Sequence, residues 1–315
     1  MTKKIAFLFP GQGSQFVGMG KDLYDNYKSA KDVFDIADKT LNKKISSICF
    51  EGPEEDLKQT VNTQPAIVTM SIAALETLKS ELNIEPDYTA GHSLGEYCAM
   101  YCSGVMSLET TLKAIQKRAD LMSTVKGGAM AAVLNATDEQ LKDGLAEGSK
   151  VGYVDIANYN SPVQVVMTGD ESAVKAAGDY MLRNGVRRVV PLAVSGAFHS
   201  KYMENAGREF EKFVSGLELS DTKIPVITNV DANPTTNVVD FREKMPRQIY
   251  SSVHWTQTIE KMVLDGVEIF VEIGPGKVLA GLNKKIIPDA TVYNVYDKES
   301  LNAVIEALRE EMSLI

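Results

Sequence analysis

The sequence contains few of the residues that build disulfide frameworks or metal centres. Its 315 residues include only three cysteines and three histidines. Cys49, Cys98 and Cys102 show no metal-ligand spacing and cannot all pair, so we expect buried or partly buried thiols in a reducing cytoplasm. No apolar stretch approaches the ~18 residues of a membrane span, and the apolar residues 5–9 are too few for a signal peptide. We therefore expect a cytoplasmic protein without a bound metal or a membrane attachment.

A surplus of positive charge is also lacking. The chain carries 33 Lys and Arg residues against 42 Asp and Glu residues, a formal net charge of −9, which argues against general nucleic-acid binding. Apolar residues make up 44 % of the chain, which is ordinary for a globular protein. The length allows one large domain, or a large domain that carries an insert.

The first third of the chain alternates between strand and helix patterns. Residues 5–9 form an apolar strand that Pro10 ends, and a glycine-rich loop follows at residues 11–15. Helical patterns cover residues 29–40, 67–82 and 108–125. This alternation predicts an α/β fold.

The pattern changes near Gly127 and becomes strand, helix, strand, strand, helix, strand. This order is typical of the ferredoxin-like βαββαβ unit. We predict a large α/β-hydrolase-like domain from residues 1–126 and 196–315, with a ferredoxin-like subdomain inserted at residues 127–195. The expected elements of the insert are strands at 130–134, 151–156, 163–168 and 188–194 and helices at 138–147 and 172–184, with a turn at 158–162.

A serine lies on a predicted sharp turn between a strand and a helix, in the sequence GHSLGE at residues 91–96. Glycines flank Ser93 in the Gly-x-Ser-x-Gly spacing, because a side chain at either position would collide with a tight backbone. Such a turn exposes the hydroxyl and directs backbone N–H groups at the helix N-terminus toward it. Ser93 is therefore the candidate nucleophile.

A serine nucleophile needs a base, which is usually histidine. Of the three histidines we favour His199, because it follows the last strand of the insert, where the chain crosses between the two lobes. His92 adjoins the serine and can line the site, whereas His254 precedes a helix and is expected to be a surface or structural residue. No acidic residue stands out to orient the imidazole, so we expect a Ser–His dyad oriented by a backbone carbonyl or an amide.

Four motifs occur in order along the chain: FPGQGSQ at residues 9–15, GHSLGEY at 91–97, GAFHS at 196–200 and EIGPG at 272–276. Together they resemble the malonyl-CoA:acyl carrier protein transacylases of bacterial fatty acid synthesis, and the resemblance spans nearly the whole chain. It implies that Ser93 is acylated, that His199 is the base and that no cofactor is needed. It further implies an oxyanion hole made by the backbone N–H groups of Gln12 and Leu94.

The resemblance also assigns residues that contact the substrate. Arg118 matches the arginine that grips the malonyl carboxylate, which a planar guanidinium can bind in a bidentate manner. Gln248 matches the residue whose backbone carbonyl orients the histidine. The family often has proline where this chain has Ser252, which bears on how rigidly that carbonyl is aimed. Residues that resemble the lining of the acyl pocket or substrate channel are Met122, Phe198, His92, Gln64, Asn158 and Asn160.

The implied reaction is transfer of a malonyl group from malonyl-CoA to the phosphopantetheine thiol of holo acyl carrier protein, through a malonyl-serine, by a protein expected to be a monomer. Bulky Phe198 resembles the pattern that selects malonyl over branched extender units. Alternatives are a freestanding acyltransferase of a polyketide pathway, a serine thioesterase or hydrolase, and a non-catalytic partner that keeps the fold.

Overall fold

Two β-sheets organise the chain in the computed structural model, which describes residues 3–313. The strands of these residues are β1 (Lys4–Phe9), β2 (Tyr88–Gly91), β3 (Ala129–Leu134), β4 (Val154–Ser161), β5 (Gln164–Gly169), β6 (Arg188–Pro191), β7 (Val226–Ile227), β8 (Pro234–Thr235), β9 (Val267–Ile273) and β10 (Thr291–Val295). The larger sheet has the order β10-β9-β1-β2-β7-β8, and its neighbours are parallel except for β7 and β8. The smaller sheet has the order β4-β5-β3-β6 and is antiparallel throughout.

Helices surround both sheets. In chain order they are α1 (Lys21–Asn26), α2 (Lys28–Leu41), α3 (Ile45–Glu51), α4 (Glu54–Leu57), α5 (Thr60–Glu81), α6 (Gly95–Cys102), α7 (Leu108–Thr124), α8 (Asp138–Gly148), α9 (Glu171–Arg183), α10 (Glu204–Ser215), α11 (Val238–Tyr250), α12 (Trp255–Leu264), α13 (Val278–Ile286) and α14 (Lys298–Ser313), with a short 3-10 helix at Lys201–Met203. The predicted mixed α/β architecture is confirmed. Among the described residues, no helix is long and apolar enough to cross a membrane.

Helix α5 begins seven residues earlier than the sequence pattern predicted and contains Pro65. Proline in a helix leaves the carbonyl four residues before it without its usual backbone donor. Here that carbonyl belongs to Val61, and it accepts hydrogen bonds from Lys43 Nζ at 3.0 Å and Gln116 Nε2 at 3.2 Å. These two side chains replace the missing donor, so the helix continues through the proline. The early start places Gln64 on a buried helix.

The boundaries of β4 correct a prediction. Residues 158–162 were expected to form a turn, but Asn158, Tyr159, Asn160 and Ser161 belong to the strand. The register with β5 shifts between Ile156 and Asn158 and again between Tyr159 and Ser161. Such irregularities bend a strand and redirect its side chains, and polar residues that resemble a turn in sequence can occupy them. Strand β6 also ends at Pro191 rather than at residue 194.

The small sheet is joined to the rest of the chain by two adjacent segments. Gly127 and Gly196 form an isolated parallel bridge where the chain enters and leaves this region. Between them, β3, α8, β4, β5, α9 and β6 follow one another with their own apolar cluster. The large sheet packs against two other clusters. All three cysteines are buried and free, as predicted.

Candidate active site

Ser93 lies on a strained turn between β2 and α6. Its φ is +52°, in the left-handed region that L-residues avoid. The turn is too tight for side chains on either side, because a Cβ at Gly91 would lie 1.9 Å from the Gly95 carbonyl carbon. A Cβ at Gly95 would lie 2.2 Å from the Phe9 carbonyl oxygen. The glycines of the motif are therefore a packing requirement, and strain of this kind is characteristic of functional turns.

His199 contacts the serine hydroxyl directly. Its Nε2 lies 2.8 Å from Ser93 Oγ, and its Nδ1 lies 3.0 Å from the Gln248 carbonyl oxygen and 3.1 Å from that of Ser251. Because two carbonyl oxygens can only accept, Nδ1 carries the proton, and Nε2 of the neutral ring is free to accept one from the hydroxyl. The backbone thus orients the imidazole, and no carboxylate is required.

The environment of His199 favours the neutral imidazole. Burial and, as a smaller effect, the positive charge of Arg118 together lower the pKa of His199 to about 3. Burial also lowers the pKa of His92. A neutral histidine is the form that can act as a general base.

Arg118 is buried beside Ser93, with 1 % of its surface exposed. Its Nη1 donates to Gln64 Oε1 at 2.7 Å, and its Nε and Nη2 donate to Gln248 Oε1 at 3.3 and 3.0 Å. Nη2 also donates to Ser93 Oγ at 3.0 Å. Each of these acceptors is neutral, so the buried cation forms these bonds without a carboxylate partner. A buried cation whose hydrogen bonds reach only neutral acceptors favours an anionic ligand.

The predicted oxyanion donors lie on two loops that touch. A Cβ at Gly11 would lie 2.7 Å from the His92 carbonyl oxygen, so the loop that carries Gln12 packs against the serine turn. Leu94 follows Ser93 at the start of α6. Among the described residues, no hydrogen bond is recorded from the backbone N–H of Gln12 or Leu94. Both groups can therefore donate to a ligand.

The remaining predicted residues lie around this centre. His92 Nε2 lies 2.7 Å from Asn160 Oδ1, and its ring packs 5.6 Å from that of Trp255. Gln64 Nε2 contacts Met122 Sδ at 3.5 Å, which places this methionine beside the arginine. His92 thus contacts Asn160 of the small sheet, and neither of these two contacts is with the Ser93 hydroxyl.

Phe198 directly precedes His199, and Asn158 lies in β4 of the small sheet. Phe198 is buried, and its carbonyl accepts a hydrogen bond from Thr168 Oγ1 at 2.9 Å. Asn158 is buried and forms a bridge with Val253. His254, expected to be a surface or structural residue, stacks on Tyr159 with ring centroids 5.2 Å apart.

Sequence reasoning missed several residues that support the site. Ser252 donates from Oγ to the Ile156 carbonyl at 2.6 Å and so fixes the loop that carries the two carbonyls facing His199. This bond supplies a restraint where Ser252 was noted as a departure from the expected pattern. Asn229 binds the Ser93 turn, and Glu96 binds Asn229. Burial raises the pKa of Glu96 to about 7. Glu96 lay in a recognised motif and Ser252 was noted as a departure from the family pattern, but neither contact was predicted, and Asn229 gave no local signal.

The part of the chain that the structure describes contains no ready-made metal-binding site. No group of three or more His, Cys, Asp or Glu side chains there is arranged to hold a metal ion. The polar groups that converge are instead a hydroxyl, an imidazole and a guanidinium, beside the two predicted oxyanion donors. This set suits acyl transfer through a covalent serine intermediate.

Comparison with known proteins agrees with this chemistry. The chain matches the acyl transferase domain model over residues 6–305. It is 44 % identical over 312 residues to the malonyl CoA-acyl carrier protein transacylase of Bacillus subtilis (strain 168), with 98 % of each chain covered. The enzyme of the same name from Clostridium perfringens has a solved structure with 37 % identity and a TM-score of 0.93, with 99 % of each chain covered.

A third relative was solved with a partner. It is a malonyl-transacylase in complex with its type II PKS acyl-carrier protein, 34 % identical, with a TM-score of 0.93 and coverage of 96 % of this chain and 99 % of that chain. The chain belongs to the acyl transferase domain family. Within that family, its similarity along almost the whole chain is to the malonyl CoA-acyl carrier protein transacylases, which confirms the resemblance inferred from the four motifs.

Proposed function

We propose that the protein transfers the malonyl group of malonyl-CoA to the phosphopantetheine thiol of holo acyl carrier protein, through a malonyl ester of Ser93. The observation that carries this proposal is the buried guanidinium of Arg118, which lies 3.0 Å from Ser93 Oγ and binds only neutral acceptors in the hydrogen bonds described. An acyl group that bears a free carboxylate supplies the missing negative charge at the reacting centre. An uncharged acyl group does not.

In the first half-reaction, the malonyl carboxylate pairs with Arg118 and the thioester carbonyl lies against the N–H groups of Gln12 and Leu94. Ser93 Oγ attacks the carbonyl carbon while His199 Nε2 accepts the hydroxyl proton. The two N–H groups stabilise the tetrahedral oxyanion, and each such donor contributes about 3–4 kcal/mol. Collapse breaks the carbon–sulfur bond, and His199 returns the proton to the departing CoA thiolate.

In the second half-reaction, the carrier-protein thiol follows the reverse course. His199 accepts the thiol proton, the sulfur attacks the malonyl-serine carbonyl, and the Ser93 oxygen leaves and regains its proton. The carbonyls of Gln248 and Ser251 stabilise the imidazolium in both halves, because they accept the hydrogen bond from its Nδ1. No residue changes its oxidation state, and we propose a reaction without a cofactor.

The acyl pocket and channel are proposed to be formed by the residues that surround the dyad. Met122, Gln64 and Phe198 bound the acyl group, and His92, Asn160 and Asn158 line the approach from the small sheet. Crowding by Phe198 disfavours an α-methyl branch. A clash with one methyl group discriminates by about 1–3 kcal/mol, so malonyl is preferred over a branched acyl group without excluding it completely.

The architecture is proposed to be an α/β-hydrolase-like domain, residues 1–126 and 196–315, with a ferredoxin-like subdomain at residues 127–195. The antiparallel order β4-β5-β3-β6 and the bridge between Gly127 and Gly196 support this division. The large sheet carries Ser93, whereas the small sheet holds the segment around His199. The cleft between them then admits the substrates.

The carrier protein is proposed to dock on exposed basic residues near the cleft, because both proteins are expected to be acidic overall. Candidates are Arg183, Arg187, Arg188, Lys284 and Lys285. We place the enzyme as a monomer in the reducing cytoplasm, where it supplies extender units for fatty acid synthesis. Service to a polyketide pathway is the second candidate, favoured by the similarity to the malonyl-transacylase solved with its type II PKS acyl-carrier protein.

Initial rates measured against both substrates test this function. Transfer through a malonyl-serine predicts parallel double-reciprocal lines, product on holo carrier protein and none on the apo form. Rapid CoA release that does not depend on carrier protein would instead identify a thioester hydrolase. Comparing carrier proteins from fatty acid and polyketide synthesis separates the two proposed pathways.

A further inference from the structure

Asn229 lies in the turn that follows β7 and is fully buried. Its side chain contacts both ends of the serine turn: Oδ1 accepts from the Ser93 N–H at 2.8 Å, and Nδ2 donates to the Gly91 carbonyl at 2.7 Å. A carboxamide is the group that accepts on one side and donates on the other. We propose that Asn229 is a positioning residue that holds Ser93 in its strained, reactive geometry. This proposal rests on the proposed function, since it requires Ser93 to be the nucleophile.

The backbone conformation of Ser93 explains why the turn needs the two hydrogen bonds from Asn229. Ser93 has a φ of +52°, a conformation that persists in an L-residue only when its surroundings enforce it. The two hydrogen bonds from one rigid side chain fix the carbonyl before the turn and the amide within it. Relaxation of the turn would swing the hydroxyl away from His199.

Asn229 is itself fixed by its neighbours. Its backbone N–H donates to Glu96 Oε2 at 2.6 Å, and its carbonyl accepts from the His254 N–H at 3.0 Å. Its Oδ1 also accepts from Gln248 Nε2 at 3.2 Å. Strand β7 pairs in parallel with β2, so the turns that follow both strands lie at the same edge of the large sheet. The parallel pairing of β2 and β7 thereby places Asn229 beside the serine turn.

The hydrogen bond to Asn229 also occupies the backbone N–H of Ser93. Since that group donates to Asn229, it is not available to the thioester oxygen, and the oxyanion donors are left to Gln12 and Leu94. Loss of Asn229 should then impair acylation more than binding, because Arg118 makes no direct hydrogen bond to Asn229. Gln248, which contacts both residues, keeps its shorter hydrogen bond to the Ser93 carbonyl at 2.7 Å.

Pre-steady-state acylation of Ser93 by malonyl-CoA, quantified by intact mass, tests the proposal. Asn229→Ala should acylate about 10-fold to 100-fold more slowly, as expected for a misplaced reacting group. Asn229→Asp keeps the acceptor for the Ser93 N–H and loses the donor to Gly91, so its rate should fall between those of the alanine variant and the wild type. Asn233→Ala, an exposed position in the same loop, is the matched control and should acylate like the wild type.

A binding measurement separates positioning from general damage. The Kd of malonyl-CoA should differ by less than about twofold between Ser93→Ala and the double variant Ser93→Ala/Asn229→Ala. Equal losses in binding and acylation, or an Asn229→Ala rate within about threefold of the wild type, would overturn the positioning role. If Asn229→Ala does not fold, the near-isosteric Asn229→Asp carries the test by the same criteria. A wild-type protein that forms no malonyl adduct would instead overturn the proposed function.

Discussion

Arg118 Nη2 donates a hydrogen bond to Ser93 Oγ at 3.0 Å, while Ser93 Oγ also lies 2.8 Å from His199 Nε2. The guanidinium and the hydroxyl of Ser93, the proposed nucleophile, are therefore direct neighbours before any substrate binds. A carboxylate that binds Arg118 therefore lies close to the Ser93 oxygen. This spacing suits a short dicarboxylic acyl group such as malonyl.

Arg118→Ala should separate malonyl transfer from transfer of an uncharged acyl group. Loss of charged hydrogen bonds, each contributing about 1.5–3 kcal/mol, should reduce kcat/KM for malonyl-CoA about 100-fold or more. Transfer of an acetyl group should fall much less, since acetyl has no carboxylate to lose. Lys117→Ala removes the neighbouring positive charge and is the control. Equal losses for both acyl groups would refute the carboxylate clamp.

The pH at which the acylation rate falls on the acidic side should lie far below the ordinary pKa of histidine. Burial and the charge of Arg118 lower the pKa of His199 to about 3, so the ring is neutral and can accept a proton well below pH 6.5. We expect the contribution of His199 to kcat/KM for malonyl-CoA, which reports the free enzyme, to stay nearly level from pH 7 to about pH 5.

The buried carboxyl of Glu96 complicates this profile, because burial raises its pKa to about 7. The profile should therefore be repeated in Glu96→Gln, which removes that titration. In Arg118→Gln, assayed with acetyl-CoA, loss of the cation should move the acidic limb to higher pH. A half-maximal rate near pH 6.5 in both the wild type and Glu96→Gln would show that His199 titrates as an ordinary histidine.

Ser252→Ala should slow acylation without weakening the binding of malonyl-CoA. The variant loses the hydrogen bond to the Ile156 carbonyl, whose net contribution is about 0.5–1.5 kcal/mol, so we expect a rate lower by about twofold to tenfold. Ser251→Ala keeps the backbone carbonyl that faces His199 and should acylate like the wild type. If Ser251→Ala is the more damaging change, the Ser252 restraint does not orient the base.

Gly274→Ala should destabilise the protein and slow acylation. An added Cβ would lie 2.3 Å from Ser71 Oγ and 2.7 Å from Pro10, which leads into the loop of Gln12. Overpacking of this kind costs about 1–3 kcal/mol of folding free energy, and the φ of +141° adds strain. The free energy of unfolding and the acylation rate measure the two effects.

Gly281→Ala is the matched control for that experiment. Gly281 lies in α13, and an added Cβ there would meet no atom within 4 Å. Alanine is the better helix former, so this variant should gain about 0.5–1 kcal/mol of stability and keep its activity. A loss of stability in Gly281→Ala equal to that in Gly274→Ala would contradict the steric explanation.

The sequence could predict the parts of the site that local backbone geometry imposes. Ser93 needs two glycines at fixed spacing, and that requirement is visible in six residues. His199 could be singled out by its place after the insert. Arg118 alone would read as an ordinary helix charge, and only the family resemblance pointed to its role. Its acceptor Gln64 lies on α5 next to Pro65, where local propensity does not favour a helix.

The supporting residues could not be predicted, because their partners are distant in the chain. Asn229 lies 136 positions from Ser93, to which it is hydrogen-bonded, and becomes its neighbour only through the parallel pairing of β2 and β7. Ser252 reaches Ile156 across the junction of the two sheets. Asn158 and Asn160 were misread as turn residues, since their polar character obscured an irregular strand.

The most direct test of the account is the intact mass of the purified protein after brief exposure to malonyl-CoA, with Ser93→Ala alongside. A malonyl adduct on the wild type that is absent from Ser93→Ala, and that holo acyl carrier protein discharges while the apo form does not, is the predicted result. An unmodified wild-type protein, or an adduct that survives in Ser93→Ala, would contradict transfer through Ser93.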